Sequence, residues 1–82
     1  MNQGVYVRLK TLMEEADAKY GPFASIHEAL GVCTEEWQEL TAAIIENDLT
    51  KIESECIDLA APLLRLAEQV RTEAGLRRRS GR

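Results

Sequence analysis

Apolar residues recur at three- and four-residue steps along most of the chain, the period of an α-helix. Val5, Leu9, Leu12, Met13 and Ala16 predict a first helix from Gln3 to Ala18. The segment Lys19-Tyr20-Gly21-Pro22-Phe23 stops it: Gly21 is free to take positive φ, and Pro22 biases the residue before it away from helix. Ser25 then reads as an N-cap, with Glu28 as its capping-box partner. A second helix runs from Ile26 to Glu46, with Ile26, Leu30, Cys33, Trp37, Leu40 and Ile44 in one stripe, expected to face the core. Asn47-Asp48 closes it, and Asp48 caps a third helix from Leu49 to Glu73, with Gly75 as its stop. The main stripe of this helix, from Leu49 through Cys56 and Leu63 to Val70, is expected to pack against the chain's own helices. A second patch, Ile57, Ala61 and Leu64, has nothing left in a three-helix chain to cover it. The expectation is an all-α fold: a short bundle of three main helices whose core is completed by oligomerisation through that patch, as a homodimer or tetramer.

Composition narrows the class. At 82 residues, with 45% hydrophobic, 29% charged and 5% aromatic positions, the chain fits one small domain and no βαβ fold. No run is long and apolar enough to span a membrane, and Met1 to Lys10 has no apolar leader, so the expected address is the cytoplasm. Four of the ten basic residues, Arg77, Arg78, Arg79 and Arg82, fall in the last six positions. Residues 1–76 therefore hold six basic against fourteen acidic residues, net −8. We read 1–76 as a single helical domain and 77–82 as a basic, mobile tail. An acidic body attracts neither specific nucleic acid nor anionic lipid, but it does attract metal ions. Cys33, Cys56 and His27 are too few and too scattered for a zinc site, and both cysteines read as reduced core thiols.

The acidic residues carry the chemistry. Helix two holds Glu35-Glu36-Trp37-Gln38-Glu39 and helix three holds Glu55-Cys56-Ile57-Asp58. In each, two carboxylates stand three residues apart and share a face. The short connection makes the helices antiparallel neighbours, so the two pairs meet at the edge of the packed seam. Four such carboxylates repel one another and are costly to desolvate, which calls for a hard divalent cation.

E-E-x-x-E, fifteen residues, then E-x-x-D resembles the motif of the MazG-like nucleotide pyrophosphohydrolases, in the all-α NTP pyrophosphatase superfamily. The similarity spans residues 18–70 and includes Tyr20-Gly-Pro-Phe-Ala-Ser-Ile-His-Glu-Ala, a lead-in like that of short phage or mobile-element members. The resemblance implies that Glu36, Glu39, Glu55 and Asp58 ligate Mg²⁺, with Mn²⁺ as a substitute. It also implies a reaction: a nucleoside triphosphate and water give the monophosphate and diphosphate, as nucleotide-pool house-cleaning. Glu35 is then the spare carboxylate that positions or deprotonates the attacking water.

Arg65 lies two turns beyond Asp58 on the same face, where it reads either as a phosphate ligand or as an ion-pair partner for a nearby carboxylate. Lys51 and Lys19 are further phosphate candidates, and Phe23 is a base-stacking candidate or a staple at the start of helix two. Trp37 sits central in its stripe and reads as core. Pro62, inside helix three, cannot donate to the Asp58 carbonyl and is expected to bend the helix. The alternative function is a non-catalytic helical dimerisation or regulatory module whose acids only solubilise it. A di-iron bundle is disfavoured because E-x-x-H pairs are absent.

Overall fold

The computed structural model describes residues 3–79, with side chains over residues 4–73. It has three helices: α1 (Gln3–Tyr20), α2 (Ile26–Glu46) and α3 (Leu49–Arg79), with no strand among the described residues. No helix is long and apolar enough to cross a membrane.

Local chemistry sets the boundaries. Gly21 at φ 70° ends α1, its N–H donating to the Asp17 carbonyl at 3.0 Å. Ser25 caps α2 by accepting the Glu28 N–H at 3.0 Å, while the Glu28 carboxylate accepts from the Ala24 N–H at 3.3 Å. At the far end Asn47 takes the left-handed conformation (φ 56°, ψ 37°). The N–H groups of Asn47 and Asp48 then donate to the Ile44 and Ala43 carbonyls, satisfying acceptors a helix end would leave open. The Asp48 carboxylate accepts from the Lys51 N–H at 3.1 Å and starts α3. Two boundaries differ from expectation. α1 runs two residues further, to Tyr20, and α3 passes through Gly75 and on to Arg79. Gly75 only lowers helix propensity by about 1 kcal/mol, and a helix already propagating tolerates that. Of the expected basic tail, Arg77–Arg79 are helical and residues 80–82 lie outside the described residues.

α3 is the central element. α1 and α2 each pack on it, and their backbones do not pack on one another. α2 and α3 are antiparallel across the two-residue connection Asn47-Asp48. The molecule measures 51 × 27 × 23 Å with a radius of gyration of 14.8 Å, against about 12 Å for a compact domain of this length.

The core is small and corrects the expected faces. Among the described residues the buried apolar ones are Phe23, Ala29, Leu40, Ala43, Ile57, Ala61 and Pro62. Ile57 and Ala61, expected at a subunit interface, are inside the chain, because α1 and α2 straddle that side of α3. Conversely, Ile26, Leu30, Trp37 and Ile44 on α2 are exposed, as are Leu49, Cys56, Leu63 and Val70 on α3. The exchange is partial: Leu40 of the α2 stripe is buried, Ile52, Leu59 and Leu66 of the α3 stripe are half-buried, and Leu64 of the second patch is exposed. Ala29 and Ala43 let α2 approach α3 closely along a face rotated away from its bulkiest stripe. Cys33 is half-buried, so neither cysteine is the fully enclosed thiol expected. The α1 stripe Val5, Leu9, Leu12, Met13 and Ala16 is half-buried along its whole length, as the periodicity predicts.

Candidate metal centre and its cleft

The antiparallel α2–α3 pair brings the carboxylates of its two helices into register. Oxygen atoms of Glu36, Glu39 and Glu55 lie within 4.8 Å of one another. One oxygen of Glu36 and one of Glu55, both Oε2, are buried with no hydrogen-bond partner. Burial followed by the charges of Glu39, Asp58 and Glu55, and by a hydrogen bond with Glu39, pushes the Glu36 carboxyl up to about 7. Glu55 is raised as well, by burial, by its hydrogen bond and charge contact with Glu39 and by Asp58, with Lys51 acting in the opposite sense. Cys33, one helical turn before Glu36, has its thiol raised by burial and by that carboxylate. Orphaned buried acceptors converging from two helices fit a hard cation, which accepts lone pairs where no N–H or O–H is available.

Asp58 is not part of the three-carboxylate group, yet its charge raises both Glu36 and Glu55. It lines, with Glu36, a cleft of about 510 Å³. The cleft runs between α1 and α2 over α3, with walls that include Leu12, Ala16, Phe23, Val32 and Ala61. Its lining combines the carboxylates of Glu28, Glu36 and Asp58 and the Arg65 guanidinium with these apolar side chains, which suits a ligand with a polar head and a flat apolar part. Glu35 is exposed and stands outside the carboxylate group.

The other candidates are placed as follows. Arg65 lines the cleft, but its guanidinium is held by α1: Nε donates to Asp17 Oδ1 at 2.8 Å and Nη2 to the Gly21 carbonyl at 2.6 Å. It also stacks on the Phe23 ring, 4.7 Å from the centroid. The ion-pair alternative for Arg65 is thus the one realised. Phe23 is buried in the wall with one ring face covered by that guanidinium. Lys51 is a surface residue paired with Glu46 at 3.7 Å, and Lys19 lies 5.1 Å from the Tyr20 ring centre. Trp37, read from its stripe as core, is 57% exposed and lies outside the cleft lining.

Sequence reasoning missed the residues that hold the loop. Gln69 clamps the Phe23 backbone from both sides, accepting its N–H at Oε1 and donating to its carbonyl from Nε2, each at 2.9 Å. Asp17 is the α1 anchor of Arg65. A lone Gln or Asp on a helix carries no local signal of a partner more than forty residues away.

The chain matches no family model, no curated protein and no solved structure.

Proposed function

We propose that this chain is a magnesium-dependent nucleoside triphosphate pyrophosphohydrolase of the MazG-like type, converting a triphosphate and water to the monophosphate and diphosphate. The observation that carries the reading is the convergence of Glu36, Glu39 and Glu55 with two buried acceptor oxygens lacking any donor. Glu36, Glu39, Glu55 and Asp58 would hold Mg²⁺ or Mn²⁺. The ion supplies neutralisation of phosphate charge and acidification of water. The chain's own residues do the rest. The carboxylate cluster repels a bare triphosphate, so substrate binding and catalysis share one requirement for cation. Leu12, Ala16 and Val32 give the cleft apolar walls against which a nucleobase sheds water. Phe23 forms part of that wall, and Arg65 holds the Gly21–Phe23 turn that closes one end of it. Lys19, beside the Tyr20 ring, and Lys51, paired with Glu46, are exposed cations that would have to leave those partners to meet phosphates, and Glu35 is the spare carboxylate assigned to the attacking water.

The test is diphosphate release across the common NTPs and dNTPs with Mg²⁺. Wild type is expected to release diphosphate from at least one nucleotide, with Glu39→Gln and Asp58→Asn lower by on the order of 100-fold. Release by both variants at the wild-type rate, or none by wild type from any nucleotide, overturns the assignment.

A further inference from the structure

We infer that Gln69 is a positioning residue for the nucleotide, an inference that rests on the proposed function and adds a residue to it. Gln69 lines no part of the cleft, yet it sets the place of the cleft wall at Phe23.

The construction of the cleft gives the reason. Its sides come from α1, with Leu12 and Ala16, and from α2, with Val32 and Glu36, over a floor of α3. α1 and α2 each pack on α3 and not on one another. What joins the two sides is the non-helical strap from Gly21 to Ser25. Such a segment has no ladder of its own, so its backbone N–H and C=O groups must be satisfied from elsewhere. α3 does this from the floor. Gln69 accepts the Phe23 N–H at Oε1 and donates from Nε2 to the Phe23 carbonyl, each at 2.9 Å. One turn earlier, Arg65 donates to the Gly21 carbonyl and covers one face of the Phe23 ring.

The clamp depends on the chemistry of a primary amide. It carries an acceptor and a donor side by side and can answer both the N–H and the C=O of one residue. A carboxylate only accepts, and an aliphatic chain does neither. Gln69 Nε2 also donates to Glu73 Oε1 at 3.4 Å, which helps to fix the amide's orientation.

Gln69 reaches the nucleotide only through Phe23. It lines a separate cavity of about 540 Å³ that shares Gly21, Phe23 and Arg65 with the cleft. Released from Gln69, the Phe23 peptide groups would turn to water, because leaving them unpaired is costly, and the ring would move with them. The wall against which a base sheds water would then be displaced. The cation-binding end would not be, since Gln69 lies eleven residues beyond Asp58 on α3, about 16 Å along the helix axis.

Steady-state diphosphate release, on a nucleotide that wild type hydrolyses, separates this role from a general loss of stability. Gln69→Leu and Gln69→Glu, both close to glutamine in volume, should raise KM about tenfold, the order that two neutral hydrogen bonds hold between them. Their kcat should stay within about twofold of wild type, and their Mg²⁺-dependent rise in melting temperature should be retained. Thr72→Ala should match wild type: Thr72 lines the neighbouring cavity, but its hydroxyl is bonded to the Glu68 carbonyl of its own helix. A wild-type KM in both Gln69 variants overturns the inference and leaves the catalytic reading standing, whether kcat is unchanged or is lowered as in a chain that is merely less folded. No release by wild type from any nucleotide overturns both. A measurement on wild type alone covers variants that do not fold. Exchange of the Phe23 amide hydrogen, followed by NMR, should slow when Mg²⁺ and the α,β-imido analogue of the nucleotide are added. Exchange that does not change at saturating analogue contradicts the role given to Gln69.

Discussion

Glu36 is held where an ionised carboxylate is unfavourable: half-buried, one oxygen without a donor, and beside three other acids. Its pKa in the folded chain, about 7, lies above the ordinary 4.5. The sign of the linkage follows. Below pH 4.5 the proton is bound in folded and unfolded chains alike and nothing is lost. As pH rises toward about 7, the unfolded chain ionises first and folding stability falls. Glu55, also raised, adds to the same loss. In chelator, wild type should melt at a lower temperature at pH 8 than at pH 5, and Glu36→Gln should remove much of the difference. A melting temperature that rises over that interval would contradict the electrostatic account. Arg65 is the opposite case, a cation with every neighbour arranged to receive it. Arg65→Met should cost about 1.5–3 kcal/mol in denaturant unfolding through its lost bonds to Asp17 and Gly21. Arg65→Lys should recover only part, because an ammonium cannot reproduce the two-point geometry or the stacking on Phe23.

At the scale of the helices, the caps were legible and the faces only in part. Ser25, Glu28, Asn47 and Asp48 act locally, through hydrogen bonds spanning a few residues, so their roles can be read from adjacent letters. Ser25→Ala should accordingly destabilise the chain by about 1 kcal/mol, and Asn47→Gly should be neutral or slightly stabilising because glycine takes the left-handed conformation freely. Which face of α2 turns inward is a tertiary matter. Of the stripe from Ile26 to Ile44 only Leu40 is buried, and the other buried α2 residues, Ala29 and Ala43, lie beside that stripe. Hydrophobic periodicity marks a stripe that favours burial, without fixing which of its members the tertiary packing encloses. The carboxylates were readable for a simpler reason. Three-residue spacing on two helices joined by a tight turn leaves little freedom in where Glu36, Glu39 and Glu55 meet. Asp58 lines the cleft wall and stands outside the group. Gln69 and Asp17 were invisible because their partners are distant in sequence.

For the whole molecule, the elongated shape and the few fully buried apolar side chains among the described residues leave room for a bound ligand to raise stability. Under the proposed function, a cation bound by the carboxylates raises folding stability with Mg²⁺, by about 1.4 kcal/mol at a tenfold excess over Kd. For a domain of this size that corresponds to roughly 5–10 °C. The most direct measurement is therefore a thermal melt at pH 8 and constant ionic strength, titrated with Mg²⁺, on wild type and on Glu36→Gln and Glu55→Gln. Wild type should rise by several degrees and saturate, while the two variants, already relieved of one buried charge, should start higher and respond little. Equal, unsaturated responses in all three proteins would mean that these carboxylates do not hold a cation together.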